Sequence, residues 1–335
     1  MQRRRPTTAP QSPRRSTALE RELADLAPAL SNPGVPTSRE PLLAALLSPR
    51  ATVVAFAAQA VREGALPDVE GALVRAYASL DGDDPGCRAR LALLEALDHL
   101  EATDDRPFVH AARYVQKEKA WGPAVDTAAG VRARAAAGLA RMGSRDLLLL
   151  LGEMLADPEP PVQAAAADAL AHHGDRAGAG LLLLRLALGD TDPQVLLACH
   201  AALLQLAPDV SLPRLASMLS GHDEGAAEVA ALVLGQSRSE AALELLLTAL
   251  RDDVLPARRA RAMGALAHFR GERATSALLA VVAGGRRADA TAAVKALASR
   301  AFEPELARRV IEAGEGNREL DVAALVAREF GGARG

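Results

Sequence analysis

Residues 144–174 read as a helix, a proline-rich turn and a second helix, and the segments on either side are imperfect copies of this unit. Leucines and Met154 recur at helical spacing in the first half, which predicts a wide apolar face. Prolines in the segment 157–161 end that helix, because proline lacks an N–H and biases the residue before it away from the α region. One hairpin of this size buries too little apolar surface to offset its conformational entropy, so we expect it to stack between similar hairpins.

The register of the repeats follows a large aliphatic residue near the end of each second helix. Such residues occur at spacings of 31 to 42 residues, and each should fill the same buried layer. These anchor residues are Val61, Leu97, Leu139, Leu170, Leu203, Leu234, Leu266 and Leu297. The hydrophobic residues are mostly Ala, Leu and Val, while aromatic residues make up only 2% of the chain. This composition favours tight packing of helices over a β-rich fold or an aromatic-lined pocket for a small molecule.

These patterns predict an all-α fold, a right-handed α-solenoid of stacked helical hairpins. A capping-box signature at residues 17–20 opens a predicted N-terminal cap helix over residues 17–30. About nine helix pairs are predicted over residues 38–330, so that residues 17–335 form a single array. Residues 1–16 carry five arginines and no acidic residue, and we expect a disordered basic tail because they offer nothing to bury.

Three segments resemble HEAT repeats, in particular the short, alanine-rich bacterial type also found in bilin lyase subunits: DPEPPVQAAAADAL, TDPQVLLACHAAL and DTAAGVRARAAAGL. The resemblance covers roughly residues 38–330 and implies an α-solenoid, a fold used mostly by binding scaffolds and by a few enzymes. Such repeats often carry an Asp in the turn and an Arg just after the Val. The Asp recurs at Asp126, Asp157 and Asp192, and the Arg at Arg132, whereas Gln163 and Leu196 depart from the pattern. The ladder of Asp–Arg pairs that the resemblance implies is therefore predicted to be incomplete.

The longest spacing between anchors, from Leu97 to Leu139, marks an insertion at residues 116–127. It holds the only tryptophan of the chain, Trp121, and two of its three lysines, Lys117 and Lys119. A tryptophan flanked by charge in an exposed loop is typical of a protein-binding hot spot, so these three residues are predicted to contact a partner. In the alternative interpretation, the indole folds back over its neighbouring helices as a packing residue.

The charge of the chain is unevenly distributed, although its formal net charge is only −3. Residues 251–309 carry twelve basic and six acidic residues. Stacked repeats could gather the basic side chains into a surface for an acidic protein or for phosphates. Recognition of single-stranded bases usually needs aromatic residues, and this region offers only Phe269 and Phe302. The candidate partner-binding residues here are Arg258, Arg259, Arg261, Arg286 and Arg287.

The sequence predicts no catalytic residue, no metal site and no cofactor. The turn at residues 284–287 lacks the strand that precedes phosphate-binding glycine loops, and no Ser/His/Asp or Cys/His arrangement is evident. His172 and His173 have no second cluster of ligands at metal-binding spacing. Cys87 and Cys199 fall in different repeats and are expected to be packing residues in a reducing compartment. Without a secretory apolar segment or an apolar run long enough to span a bilayer, the chain is expected to be cytoplasmic.

The combined patterns favour a non-catalytic scaffold or adaptor that binds another protein through an extended solenoid surface. Two alternatives stay open. The first is nucleic-acid binding through residues 251–309 together with the N-terminal arm. The second, implied only by the resemblance, is a chaperone-like subunit similar to those of the bilin lyases.

Overall fold

The computed structural model describes residues 13–80, 84–119, 121–189, 192–269 and 271–331. The chain divides into two compact units, Met1–His173 and Gly174–Gly335. The first helix begins at Pro13, so it includes residues 13–16 of the segment predicted as a disordered tail. The rest of that segment, residues 1–12, lies outside the described residues.

The first unit contains nine described α-helices, one short β-hairpin and two 3-10 turns. The 3-10 turns are Pro36–Ser38 and Pro85–Cys87. The strands are β1 (Lys117–Glu118) and β2 (Val125–Asp126). The helices are α1 (Pro13–Ser31), α2 (Arg39–Ala45), α3 (Ala51–Glu63), α4 (Glu70–Ala78), α5 (Arg88–His99), α6 (Arg106–Ala111), α7 (Ala129–Met142), α8 (Leu147–Leu155) and α9 (Pro160–His173).

The described residues of the second unit form α-helices joined by loops and turns, without a strand, and the helices make five pairs. The helices are α10 (Gly178–Ala187), α11 (Pro193–Leu206), α12 (Pro208–Ser220), α13 (Glu224–Gln236), α14 (Glu240–Asp252), α15 (Pro256–His268), α16 (Glu272–Gly284), α17 (Arg287–Ala298), α18 (Pro304–Gly314) and α19 (Val322–Gly331).

Alternate helices stack on one another inside each unit. In the first unit, α2–α3, α4–α5, α6–α7 and α8–α9 pack as hairpins, and the second helices form a row from α3 through α5 and α7 to α9. Helix α1 packs on α2 and α3. In the second unit, the row runs from α11 through α13, α15 and α17 to α19, and each of these helices packs on the helix before it. Stacking of hairpins in rows is the packing of an α-solenoid, so the predicted all-α class is confirmed.

The anchor residues form the buried layer that the sequence predicted. All eight, from Val61 to Leu297, lie at the interior of their second helices and have a relative exposure of 1% or less. A residue at the same position of every second helix meets the same neighbours in the next hairpin, because the hairpins stack in register. Periodicity alone therefore identified the core of both units.

Two kinds of residue start the second helices. Proline opens α9, α11 and α15, where its missing N–H is not needed for a helical hydrogen bond. Aspartate caps three of the helices: Asp192 accepts from the N–H groups of Gln194 and Val195 at the start of α11, Asp223 from the Ala226 N–H at the start of α13, and Asp321 from the Ala324 N–H at the start of α19. The turns before α9, α11, α13, α15 and α19 are thus fixed by their own local sequence.

Helices α13 and α15 approach each other closely because Gly235 has no side chain. A Cβ atom at Gly235 in α13 would lie 2.5 Å from the Ala265 carbonyl oxygen of α15. Alanine-rich sequences around both residues complete this contact, since small side chains let helix axes come near to each other.

A buried histidine makes the second unit sensitive to acid. His200 in α11 is 4% exposed, and burial, with a smaller contribution from Arg214, lowers its pKa to about 4. Above pH 6.5 the imidazole is neutral in both the folded and the unfolded chain, so it has no effect on stability there. As the pH falls from about 6.5 to about 4, the unfolded chain binds a proton that the folded chain resists, and folding should lose about 3 kcal/mol.

Urea denaturation at pH 7 and pH 4 tests this expectation on three proteins. His200→Leu should lose about 3 kcal/mol less stability than the wild type between the two pH values, because it has no imidazole to protonate. His222→Leu is the control, since His222 is exposed. An acid-induced loss in His200→Leu equal to that of the wild type would show that another group carries it.

Candidate functional site

The insertion predicted between the anchors of α5 and α7 is a β-hairpin. Strand β1 pairs antiparallel with β2, with Lys117 opposite Asp126 and Glu118 opposite Val125. Trp121 lies in the connecting loop with a relative exposure of 109%, so its indole has no packing partner in the described chain. The interpretation in which Trp121 folds back over the helices is therefore wrong. Strand pairing was not predicted, because two-residue strands are too short to show an alternating pattern.

The hairpin carries further exposed side chains around the indole. Lys117 and Lys119 are both exposed, so three of the predicted site residues share this one element. Val115 and Val125 are also more than half exposed, and sequence reasoning missed both. Single exposed valines are ordinary on protein surfaces. Here they occur in the same short segment as a fully exposed tryptophan and two exposed lysines.

One carboxylate fixes the base of strand β1. Oε1 of Glu118 accepts hydrogen bonds from the Gly86 N–H at 2.7 Å, from Nε2 of Gln116 at 2.7 Å and from Oγ1 of Thr127 at 3.0 Å. These donors hold the pKa of Glu118 below its usual range, and the Gly86 N–H has the largest effect. Nε2 of Gln116 also donates to the Asp84 carbonyl at 2.8 Å, which ties the strand to the turn before α5.

Strand β2 is attached to the helical stack through a buried ion pair. Asp126 accepts from the Ala128 N–H at 2.9 Å, and its other oxygen lies 2.8 Å from Nη1 of Arg132 in α7. Burial alone would raise the pKa of Asp126, but these hydrogen bonds outweigh it and hold the pKa below its usual range. Arg132 then reaches Asp157 with two hydrogen bonds of 2.7 and 3.0 Å and donates to the Tyr114 carbonyl at 2.9 Å.

The interactions of Arg132 with Asp157 form one rung of an inter-repeat ladder, and the next equivalent position holds an uncharged residue. At the next equivalent position, Gln163 is buried and donates from Nε2 to the Asp157 carbonyl at 2.5 Å. Gln163 therefore departs from the Asp–Arg pattern, as predicted, and bonds to the turn of its own hairpin without a charge.

A second rung lies in the second unit. Arg259 in α15 donates to the Asp253 carbonyl at 3.0 Å and to both oxygens of Asp289 in α17 at 2.9 Å. Arg259 is thus engaged in joining two hairpins.

The other predicted arginines differ in how far they are available to a partner. Arg258 lies 3.9 Å from Asp253, and Arg261 forms an ion pair with Glu224. Arg286 and Arg287, at the turn between α16 and α17, are exposed. All five predicted arginines belong to the second unit, whereas the hairpin belongs to the first, so the predicted residues form two separate groups.

The described residues offer no arrangement for metal chemistry. Within them, no three His, Cys, Asp or Glu side chains come together in a way that could hold a metal ion. Cys87 and Cys199 are free thiols, and both are buried. Burial raises the pKa of the Cys87 thiol, which lowers its reactivity. Crossing a bilayer needs a longer and more apolar helix than any in the described ranges.

Comparison with known proteins identifies the repeats. Residues 123–203 match the family profile of HEAT repeats. This segment of the chain contains HEAT repeats. The matched segment begins two residues after Trp121 and includes Asp126, Arg132 and Asp157. Strand β2 therefore lies within the HEAT-repeat match, whereas strand β1 and Trp121 lie just before it.

The whole chain was also compared with curated proteins and with solved structures. No curated protein matches it. Among solved structures, one similar to the chain is the complex of CpcE and CpcF of phycocyanin lyase from Nostoc sp. PCC7120. Its sequence identity is 19%, the match covers 82% of this chain and 93% of that chain, and the TM-score is 0.37.

Proposed function

We propose that this HEAT-repeat protein is a non-catalytic scaffold or adaptor whose protein partner binds the hairpin at residues 115–126, with Trp121 at the centre of the contact. The observation that carries the proposal is the complete exposure of the only tryptophan of the chain. Tryptophan is among the residues most enriched in binding hot spots, because its large ring is desolvated when a partner covers it. An indole that the protein itself leaves in water is thus a good anchor for another protein.

The fixed base of the hairpin supports the same proposal. Glu118 and Asp126, one on each strand, are both held by hydrogen bonds to the body of the first unit. A segment that is already ordered loses less conformational entropy on binding, so more of the contact energy contributes to affinity. The two strands that flank the Trp121 loop are therefore already held in the free protein.

The charge around the indole indicates the chemistry of the partner. Lys117 and Lys119 are exposed, while the acidic groups of the strands are turned to internal hydrogen bonds. A partner with an apolar pocket rimmed by acidic side chains would complement this surface, and opposite charges at the rim would mainly speed association.

The nucleic-acid alternative has less support from the geometry. Of the arginines in residues 251–309 that the structure describes, seven form ion pairs with carboxylates of the same chain. They are Arg258, Arg259, Arg261, Arg273, Arg300, Arg308 and Arg309. An arginine paired in this way releases fewer phosphate counterions, so the basic composition overstates the positive surface.

Affinity capture with a matched variant tests the proposal. The immobilised full chain should recover one dominant protein from a lysate of its native host. Trp121→Ala should reduce that recovery by about 30-fold or more, which corresponds to a hot spot of at least about 2 kcal/mol. Phe302→Ala is the control, because Phe302 is also a highly exposed aromatic residue but lies in the second unit.

Two outcomes would contradict the proposal. Equal recovery by Trp121→Ala and by the wild type would show that the partner binds elsewhere. Recovery of nuclease-sensitive nucleic acid without a protein would favour the alternative, and a steep fall of duplex DNA binding with salt would support it further.

A further inference from the structure

A cleft in the first unit gathers aromatic and cationic side chains, of which only Tyr114 also contacts the ladder and the hairpin, through its carbonyl to Arg132 and its hydroxyl to Gln116. It lies between α4, the start of α5 and α6, and has a volume of about 480 Å³. Cavities of a few hundred Å³ with an apolar lining and a few polar groups are typical of small-molecule sites. The polar residues of the lining are Tyr77, Arg90, Arg106, His110 and Tyr114.

Three rings form one wall of the cleft. The chain has only two tyrosines, and both lie here with His110 between them. The ring centroids of His110 are 5.7 Å from those of Tyr77 and of Tyr114, and the Tyr77 hydroxyl is 3.3 Å from Nδ1 of His110. Burial raises the pKa of both tyrosines, so their hydroxyls remain neutral. The low aromatic content had argued against an aromatic-lined pocket, but these residues are concentrated at one place.

Arg90 supplies a buried positive charge beside this wall. Its side chain is 5% exposed, and its guanidinium carbon lies 4.4 Å from the centroid of the Tyr114 ring. Nη2 donates to the Leu80 carbonyl at 2.6 Å, whereas Nε and Nη1 have no hydrogen-bond acceptor. The nearest carboxylate, Asp84, lies 3.5 Å from Nη1, and both of its oxygens accept from N–H groups of α5. The charge of Arg90 is thus balanced by Asp84, but two of its N–H groups have no hydrogen-bond acceptor, which is costly for a buried side chain.

A second guanidinium stands at the mouth of the cleft. Arg106 is largely exposed and binds Asp104 through Nε and Nη2, which leaves Nη1 outside that pair. His110 is also exposed. No carboxylate belongs to the lining itself, since Asp84 is covered and Asp104 is not part of the wall. The cleft is therefore rich in hydrogen-bond donors and cations, and its remaining lining is apolar.

We propose that this cleft binds a carboxylate carried on an aromatic or otherwise apolar body. The carboxylate lies at the mouth against Nη1 of Arg106 and the His110 ring, and the apolar body packs against the rings of Tyr77 and Tyr114. The carboxylate belongs either to a free small acid or to the C-terminal residue of a peptide. This site is separate from Trp121 and does not depend on the proposed function.

Calorimetric titration of the full chain with four probes tests the proposal. The probes are 2-naphthoate, its neutral amide, the peptide Gly-Gly-Phe with a free C-terminus, and the same peptide amidated. At least one of the two carboxylates should bind, and its amide should bind at least tenfold more weakly, because the charge-assisted contacts are lost. Binding of naphthoate alone supports a small acid as the ligand, and binding of the peptide alone supports a chain terminus.

Variants that leave the core intact locate the binding. Arg106→Gln and His110→Gln change exposed side chains, so both variants should fold. Each should lower the affinity for the carboxylate probe at least fivefold. Arg176→Gln is the matched control, because Arg176 also forms an exposed two-bond pair, with Asp209, and should leave binding unchanged. The proposal is overturned if neither carboxylate binds, if acid and amide bind equally, or if Arg106→Gln and His110→Gln bind as the wild type does.

Discussion

Replacing Arg132 with alanine should lower the free energy of unfolding of the first unit by about 3–5 kcal/mol. The Arg132 side chain is only 2% exposed and lies between two carboxylates, Asp126 and Asp157, which are themselves almost covered. Without the guanidinium, both carboxylates stay buried close to each other with no cation, which costs much more than the loss of one hydrogen bond. Urea denaturation followed by far-ultraviolet circular dichroism measures the change.

An exposed ion pair in the same unit provides the control. Arg113 and Glu153 form two hydrogen bonds of 2.7 and 2.8 Å, yet both side chains are more than half exposed. Arg113→Ala should therefore cost about 1 kcal/mol or less, since solvent screens such pairs. If Arg132→Ala cost no more than Arg113→Ala, the ladder would not contribute to stability as described.

Replacing Leu170 with alanine should lower the free energy of unfolding of the first unit by about 2–5 kcal/mol, which is the second large effect. Leu170 in α9 is 1% exposed and belongs to the layer of anchor residues, so the shorter side chain leaves a cavity that the rigid stack fills only in part. The same denaturation experiment measures the loss.

Leu149→Ala is the matched variant for this second prediction. Leu149 lies in the preceding helix α8 and is 68% exposed, so its truncation should change the stability by about 0.5 kcal/mol or less. Equal losses for the two leucines would mean that the register of the repeats is wrong.

The core could be predicted from sequence because it repeats. A large aliphatic residue at one position of each second helix is visible as a spacing of 31 to 42 residues, and stacking converts that spacing into a continuous buried layer. The turns were predictable for a similar reason, since proline and aspartate act locally on the backbone. Neither inference needs knowledge of which distant residues come together.

The candidate site could be predicted only in part. The unusual length of the insertion pointed to Trp121, Lys117 and Lys119, but the exposure of the indole depends on how the strands pair and what holds them. Glu118 is held by Gly86, which lies 32 residues earlier in the chain, and no local pattern encodes such a contact.

Arg259 and the tyrosine cleft also depend on contacts between residues that are distant in the sequence, which local patterns do not encode. Arg259 looked like a surface charge, yet it joins two hairpins through Asp289, 30 residues away. Tyr77 and Tyr114 are far apart in sequence and meet only because α4 and α6 pack together. Their rarity was visible in the composition, but their meeting required the fold.

The proposal that a protein partner covers the exposed Trp121 is tested most directly with this single tryptophan as the probe. Incorporation of 5-fluorotryptophan into this chain alone gives one ¹⁹F resonance, because Trp121 is the only tryptophan. In the free protein, that resonance should show the full solvent isotope shift between H₂O and D₂O of an indole in water. Saturation with the captured partner should abolish most of this shift. If the indole is already shielded from solvent in the free protein, or stays fully exposed in the complex, Trp121 is not the anchor for the partner.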